Sequence, residues 1–479
     1  MSTSTRSSLY GPSLSSTVLL GGLLLAVVGV ALAIGLGEAR MAVSGVALFL
    51  LLAMSMVDIR LSILGLFTLL TLLGDVRRLL IPLVGWSGAD PILMVGPVFT
   101  VLLLGYAIIA KRISLRSTLS RLMLGFSAIL VLQIFNPNQG ELAVGVVGAI
   151  LVLGPTLWFW IGQAFGSERF LKTFFFSVVV PLSVVALAMG FVQLAYGYLP
   201  YQLEWYRVAG YTALGDTEST LRPISIFPNI TEYLLFVSIA VVALFAALLH
   251  RSSSTWLKQL ALFLVPAGLA ALLLAGSRGP LVMTIIVMVF MWAVKGRSVA
   301  AWVPRLAIAG LLAVVGFVWS LDHVSTLGGS ERIQANLDRQ VQLIETGGTA
   351  NIHANLAWMG IYHGLVEEPF GMGVGSITLA VDKFDGTGFN SEKDLTNMFI
   401  ATGAFGGFVY LFLVGTVAFT AIRYWVRSRS MIALVIFGVL ATTGLAWLVP
   451  GHYLITPLVW FVIGVLDRLH SRPPAPAAA

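Results

Sequence analysis

Arg278 stands in "LLLAGSRGPLVM", between two runs of residues fit only for lipid. An ionised guanidinium at membrane depth costs roughly 2.5–3.5 kcal/mol on insertion scales, so its presence requires a partner, water or a ligand. Gly276, Gly279 and Pro280 crowd the same turn, a composition that tightens the chain and lets a ligand approach the backbone. A second arginine, Arg222, precedes a span opening at Asn229 in "TLRPISIFPNITEYLLF". Arginine presents a fork of donors to paired oxygens and keeps its charge, so such residues at helix mouths suit phosphate. Taken alone, Arg222 reads first as a side chain snorkelling to lipid headgroups. Asn229 and Thr231 spell a glycosylation sequon, but at a span start Asn229 is expected to cap the helix.

Two further stretches could bound a site. "EEPFGMGVGSI" alternates Gly371, Gly373 and Gly375, which is not the spacing of a dinucleotide fingerprint and predicts a flexible outer loop beside a cavity. "NSEKDLTNMFIATGAFGGFVYLF" places Asn397 at the mouth of a span carrying Gly403, Gly406 and Gly407, small residues that allow close helix packing. Helix capping by Asp394 or Thr396 is the competing reading there. No two of the six histidines have metal-ligand spacing on a helix face, so no metal site is expected.

The elements that must position these residues are membrane helices. The chain is 58% hydrophobic and 10% charged, and its mean hydropathy of +0.95 is far above that of a soluble domain. Apolar runs long enough for ~30 Å of hydrocarbon recur along almost its whole length. The expected fold is an all-α polytopic integral membrane protein of about fourteen transmembrane helices, forming a single domain over 1–479. Spans are placed at about 18–37, 41–57, 61–75, 91–110, 122–136, 142–164, 173–194, 230–249, 259–276, 280–294, 305–320, 398–421, 431–449 and 452–466. The first is read as an uncleaved helix rather than a signal peptide, and 467–479 as a disordered cytoplasmic tail. Absence of cysteine removes disulfides, thiolate metal sites and a cysteine nucleophile.

With both termini in the cytoplasm, most lysines and arginines fall on the inner side and most acids on the outer, as the positive-inside rule requires. Arg77 and Arg78 fall outside and run against that rule. The net charge of +7 is therefore a matter of sidedness, not of nucleic acid. Two long extracytoplasmic loops result, at 195–229 and 321–397, and the larger is expected to hold amphipathic helices over "ERIQANLDRQVQLIE" and "NIHANLAWMGIYHGLVEEP".

In this order the residues resemble the superfamily of O-antigen ligases and O-antigen polymerases. The resemblance covers about 220–410 and rests on Arg222 with "IFPN"; Ser277, Arg278 and Gly279 between two spans; Trp358; Pro369 with Gly371, Gly373 and Gly375; and Asn397 with Gly403. It implies glycosyl transfer at the outer face of a bacterial inner membrane, from a glycan on undecaprenyl diphosphate to a sugar hydroxyl, without nucleotide sugar, metal or cofactor. Arg222, Arg278, Asn397, Ser277, Gly373 and Trp358 would then bind substrate. Chain-length regulator and flippase proteins would be the protein partners.

Ligases of the superfamily carry histidine before the asparagine as the presumed base, whereas this chain has Thr396. That favours a polymerase of O-antigen or exopolysaccharide over a ligase, and leaves Asp394, Glu392, His353 and His363 as base candidates. A dissociative, oxocarbenium-like reaction needs little help from a base. A protein of another class, an ion-coupled exporter, could also have fourteen spans, but exporters place ionisable residues near the midplane and here they lie at span ends.

Overall fold

The computed structural model describes residues 38–209, 221–276, 278–295, 348–391, 393–444 and 446–471, with isolated positions at 303–305, 308, 334–335 and 338, and the backbone alone at 278 and 348–353. All regular elements among them are helical, as the apolar pattern requires. In chain order they include α1 (Ala39–Val57), α2 (Ile59–Leu79), α3 (Pro91–Ile109), α4 (Thr118–Gln133), α5 (Leu142–Phe165), α6 (Glu168–Tyr196) and α7 (Pro200–Ala209). There follow α8 (Ile230–Leu249), α9 (Thr255–Leu274), α10 (Arg278–Val294), α11 (Gly348–Tyr362), α12 (Asp394–Ser428), α13 (Met431–Thr442) and α14 (Ile455–Ser471). The expected spans at 18–37 and 305–320, and the amphipathic helix over 331–345, lie outside the described residues or are touched only at isolated positions.

By length and composition eight of these helices can cross a membrane, namely α1, α2, α3, α5, α6, α8, α9 and α12, which suggests a multi-pass membrane protein. The central helix is α8, with 89% of its apolar window buried, against 28–44% for the other seven. A helix that is apolar all round and also enclosed belongs at the middle of a bundle, and α8 packs against α6, α9, α10, α13 and α14. Beside it, α5 and α14 approach almost backbone to backbone. A Cβ on Gly162 would strike the Phe461 carbonyl, and one on Gly464 the Phe159 carbonyl.

Hydrogen bonds between helix ends sort those ends into two groups. At one end Gln163 donates to Asp467, Tyr424 and Ser430 donate to Glu168, and Arg429 donates to the Val294 carbonyl. At the other, α2 is tied to the segment before α8, and both α8 and α12 are tied to the chain between α13 and α14. This second end carries Arg222, the start of α10 at Arg278, and Asn397.

Two segments differ from expectation. The apolar run at 431–449 suggests one span followed closely by another from 452, but α13 stops at Thr442 and the described residues of 443–454 are irregular. Its backbone donors go to carboxylates instead of to a helix ladder: Trp447 and Leu448 donate to Asp394, and Leu454 and Ile455 donate to Glu232. The glycine-rich segment is no flexible loop either, since residues 371–378 are all buried. It runs beside a break in α12, where Met372 and Gly373 donate to the carbonyls of Ile400 and Ala401 and Ala404 donates to Pro369.

Gly403 makes that break, with φ +67, and a Cβ there would run into the Pro369 carbonyl. Replacing Gly403 by Ala is expected to cost about 1–3 kcal/mol from the backbone conformation alone, before the clash is counted. Gly415, on the same helix, has open space around it, so Gly415→Ala should be neutral or slightly stabilising. Thermal unfolding of the two purified variants checks this, and equal midpoints would remove the structural reason for Gly403.

Candidate functional site

The segment carrying Arg222 is fixed by the elements behind it. Gln193 on α6 accepts from the Ser225 amide at 2.7 Å and donates to its carbonyl at 3.2 Å, while the Ser225 hydroxyl donates to Ala186. Arg78 donates to the carbonyls of Ser225 and Phe227, so one guanidinium bridges the turn. Gly74, one turn before Arg78, is where the backbone of 226–228 lies against α2, and any Cβ there would collide with it. Arg222 itself is half-buried, and its carbonyl accepts from the Tyr198 hydroxyl at 2.6 Å. Asn229 caps α8 as expected, its side chain accepting from the Glu232 amide at 2.8 Å.

Arg78 is buried with its charge answered by Asp75 at 3.7 Å and by the face of Trp205, 4.7 Å from the guanidinium carbon. Tyr201 on α7 donates to Asp75 at 2.9 Å, and burial beside that carboxylate pushes the Tyr201 phenol up from its ordinary value. The neighbouring Arg77 donates to Asp90 and, at 3.0 Å, to the Tyr453 hydroxyl, while Arg40 also pairs with Asp90. These two arginines, anomalous by the positive-inside rule, thus hold α2 to the two segments that frame the site.

The start of α12 gathers the other predicted residues. Asn397 is fully buried and accepts from the Ser391 amide and hydroxyl, at 2.8 and 2.7 Å, while donating to Asn390 at 2.9 Å. Its amide oxygen and one of its two N–H groups thus hold the chain that enters the helix. Asp394 accepts through Oδ2 from Trp447, Leu448 and the Tyr410 hydroxyl, and its Oδ1 is buried with no partner among the described residues. Thr396 is buried, its methyl against Gly360 of α11.

His363, just past α11, is held between the Glu367 carboxylate at Nδ1 and the Met372 sulfur, 3.0 Å from Nε2. Gly373, with φ +101, lies against the Gln139 side chain, and Trp358 is 69% exposed on the outer face of α11. Asp394 and Asn397 thus stand in the first turn of α12, with Gly373 against Ala401 farther along it and His363 joined to that segment through Met372, whereas Trp358 points away into the open. Asn229 caps the turn of α8 whose Glu232 accepts from Leu454 and Ile455 of the 443–455 segment, and Arg222 lies seven residues before that cap. The backbone of Arg278 opens α10, which meets α13 through Thr284 and Thr442, 3.4 Å apart, near where that segment begins. Ser277 and Glu392 lie outside the described residues, as do the side chains of Arg278 and His353. Among the described residues no cluster of acids and histidines could hold a metal.

Reasoning from sequence missed His452. It is buried in the irregular segment with Nδ1 unpartnered among the described residues. The available signal was the "PGH" sequence, whose Pro450 and Gly451 interrupt a run otherwise readable as helix.

No protein-family model and no curated protein sequence matches this chain.

Proposed function

We propose that this protein is a membrane glycosyltransferase that polymerises a bacterial surface polysaccharide, O-antigen or exopolysaccharide, from undecaprenyl-diphosphate-linked repeats. One observation carries the reading. Glu232, just after the segment that bears Arg222, and Asp394, just before Asn397, both take backbone donors of 447–455, so parts of the chain far apart in sequence converge at one end of a helical bundle. A lipid diphosphate enters from the bilayer and keeps its charge at the interface, so the proteins that use it need arginines at helix mouths rather than at mid-membrane. Arg222 and Arg278 hold those positions, where fixed guanidinium groups would stabilise charge growing on the departing diphosphate. Asn397, Ser277, Gly373 and Trp358 would shape the glycan side.

His363 is the base candidate with an orienting carboxylate, Glu367, at Nδ1, and it would act as a base only with Met372 turned away from Nε2. Asp394 is better suited to anchoring, and Glu392 and His353 remain candidates by position. The protein would lie in the inner membrane with both termini cytoplasmic and the site outside, and would need no cofactor. The second reading, a ligase delivering glycan to a lipid A-core or protein acceptor, is disfavoured by Thr396. Export is disfavoured by charges that gather at helix ends.

The deciding experiment is glycan profiling of a deletion strain. Loss of a polymerase leaves single repeat units, whereas loss of a ligase strands long chains on the lipid carrier. Complementation with Arg278→Lys should fail nearly as completely as with Arg278→Ala at equal membrane abundance, since a point ammonium cannot reproduce the fork. Stranded long polymer would overturn the polymerase reading, and unchanged glycan with altered transport would overturn glycosyl transfer.

A further inference from the structure

Three phenylalanines from separate parts of the chain stand exposed where those parts are tied together: Phe135 at 67%, Phe370 at 84% and Phe405 at 72%. Gln133, at the end of α4, donates from its side chain to the Phe370 carbonyl at 2.7 Å, and the Ala404 amide donates to the Pro369 carbonyl at 3.0 Å. The chain after α11 is thus stitched to α4 on one side and to the break in α12 on the other. Glycines let it come so close, since a Cβ on Gly360 would strike the Thr396 side chain and one on Gly364 the Phe399 carbonyl. With that face spent on α12, Tyr362, Val366 and Phe370 are left facing outward.

Height along the helices says what meets these rings. At about 1.5 Å per residue, Phe405 lies about 27 Å along α12 from Arg423, which stands beside Tyr424 at the opposite end of the bundle. That is no more than the ~30 Å of a hydrocarbon core. α4 runs antiparallel to α12, with Ile129 near Gly406 and the Phe126 ring 5.4 Å from that of Tyr410, and its 16 residues cover about 24 Å. Leu124, Val131 and Leu132 on α4 and Phe408, Phe412 and Phe419 on α12 are exposed, forming the stripes by which these two apolar helices would meet lipid. Phe135 and Phe405 continue the two stripes, and Phe370 lies between them. Polar groups nearby are bonded within the protein: Glu367 to His363, Glu368 to Asn138, and Asn136 to Gln133 and the Gly371 carbonyl. Amides of the buried chain that follows are bonded too, Met372 and Gly373 to α12 and Val374 to Gln133, as backbone at the edge of hydrocarbon requires.

We propose that Phe135, Phe370 and Phe405 form a wedge inserted in the bilayer, at the boundary of headgroups and acyl chains in the leaflet at the end of the bundle that carries Arg222. Its partner is the hydrocarbon of ordinary membrane lipid, met through apolar area alone and needing no charge. The end of the 321–397 loop is then part of the membrane boundary rather than of the aqueous phase. Inserted there, the wedge fixes the height of the chain between His363 and Gly373. It goes beyond the transfer reaction proposed above and stands whatever chemistry the site performs.

The chain has no cysteine, so single cysteines can be introduced and labelled in the full-length protein. Phe135→Cys, Phe370→Cys and Phe405→Cys, each carrying an environment-sensitive fluorophore in phosphatidylcholine nanodiscs, are compared with Phe412→Cys on the outward stripe of α12 and with Lys383→Cys at an exposed loop position. At all three wedge positions, lipid bearing a nitroxide high on its acyl chain is expected to quench severalfold more strongly than aqueous iodide, as lipid does at Phe412→Cys, whereas Lys383→Cys shows the reverse. The three residues lie on separate elements and are mostly exposed, so a variant that fails to fold leaves two others to decide. Iodide quenching at the wedge as strong as at Lys383→Cys would overturn the proposal in favour of a face open to water and to protein partners. Protection from both quenchers would overturn it in favour of a cover formed by protein, whether this chain or a second copy.

Discussion

Arg78→Ala is expected to destabilise the protein by about 3–5 kcal/mol, the usual cost of removing one partner from a buried charge network. Arg78 is 1% exposed and serves four groups: the carbonyls of Ser225 and Phe227, the Asp75 carboxylate and the Trp205 ring. Alanine would take one donor from each of two buried carbonyls and leave the Asp75 carboxylate without its ion-pair partner, with Tyr201 still donating to it. Arg78→Lys should fall between, because an ammonium restores charge near Asp75 but cannot span two carbonyls in the turn. On the proposed function, glycan polymerisation should fail in the alanine variant even where protein is present, since the segment positioned by Arg78 is the one that bears Arg222. Thermal unfolding with a polymer assay checks both, and a wild-type midpoint in Arg78→Ala would show that Gln193 alone secures the turn.

That arginine shows how far the sequence could be read. The hydrophobic pattern was enough to place α1, α2, α3, α5, α6, α8, α9 and α12, because a run of apolar residues long enough to span hydrocarbon has few other uses. Asn229 could be recognised as a cap because capping is local, joining a side chain to an amide three residues on. Arg77 and Arg78 were visible only as a violation of charge sidedness. The structure gives them partners at 90, 225, 227 and 453, at sequence distances no periodicity encodes.

The irregular segment after α13 was hidden for a related reason. "TTGLAWLVPGHYLIT" is apolar enough to continue a helix, and its departure from helix is fixed by carboxylates at 232 and 394 that take its amides. The alternating glycines were legible as a motif but not as packing. Gly371 and Gly403 need each other, since a Cβ on either would meet the other's backbone neighbours. In each case local chemistry was readable, and the tertiary choice of partner was not.

The largest contrast within one position is expected at Asp394, where anchor and base make opposite demands. As an anchor, the carboxylate holds Trp447, Leu448 and Tyr410 through a single oxygen. Asn keeps an oxygen of the same reach, so Asp394→Asn should retain polymer formation within about tenfold, its new amide bearing only the ordinary 1–3 kcal/mol penalty of a buried unsatisfied group. Asp394→Ala removes the acceptor from three buried donors at once and should abolish accumulation of folded protein, because those penalties approach the whole stability of a domain. A general base behaves differently: Asn cannot take a proton, and loss of such a group lowers the rate about 10²–10⁴-fold while leaving the fold intact. Measuring folded yield and polymer length in both variants therefore separates the roles. A well-folded, inactive Asp394→Asn would return Asp394 to the chemistry and withdraw His363; an active one leaves His363, held by Glu367, as the residue to replace next.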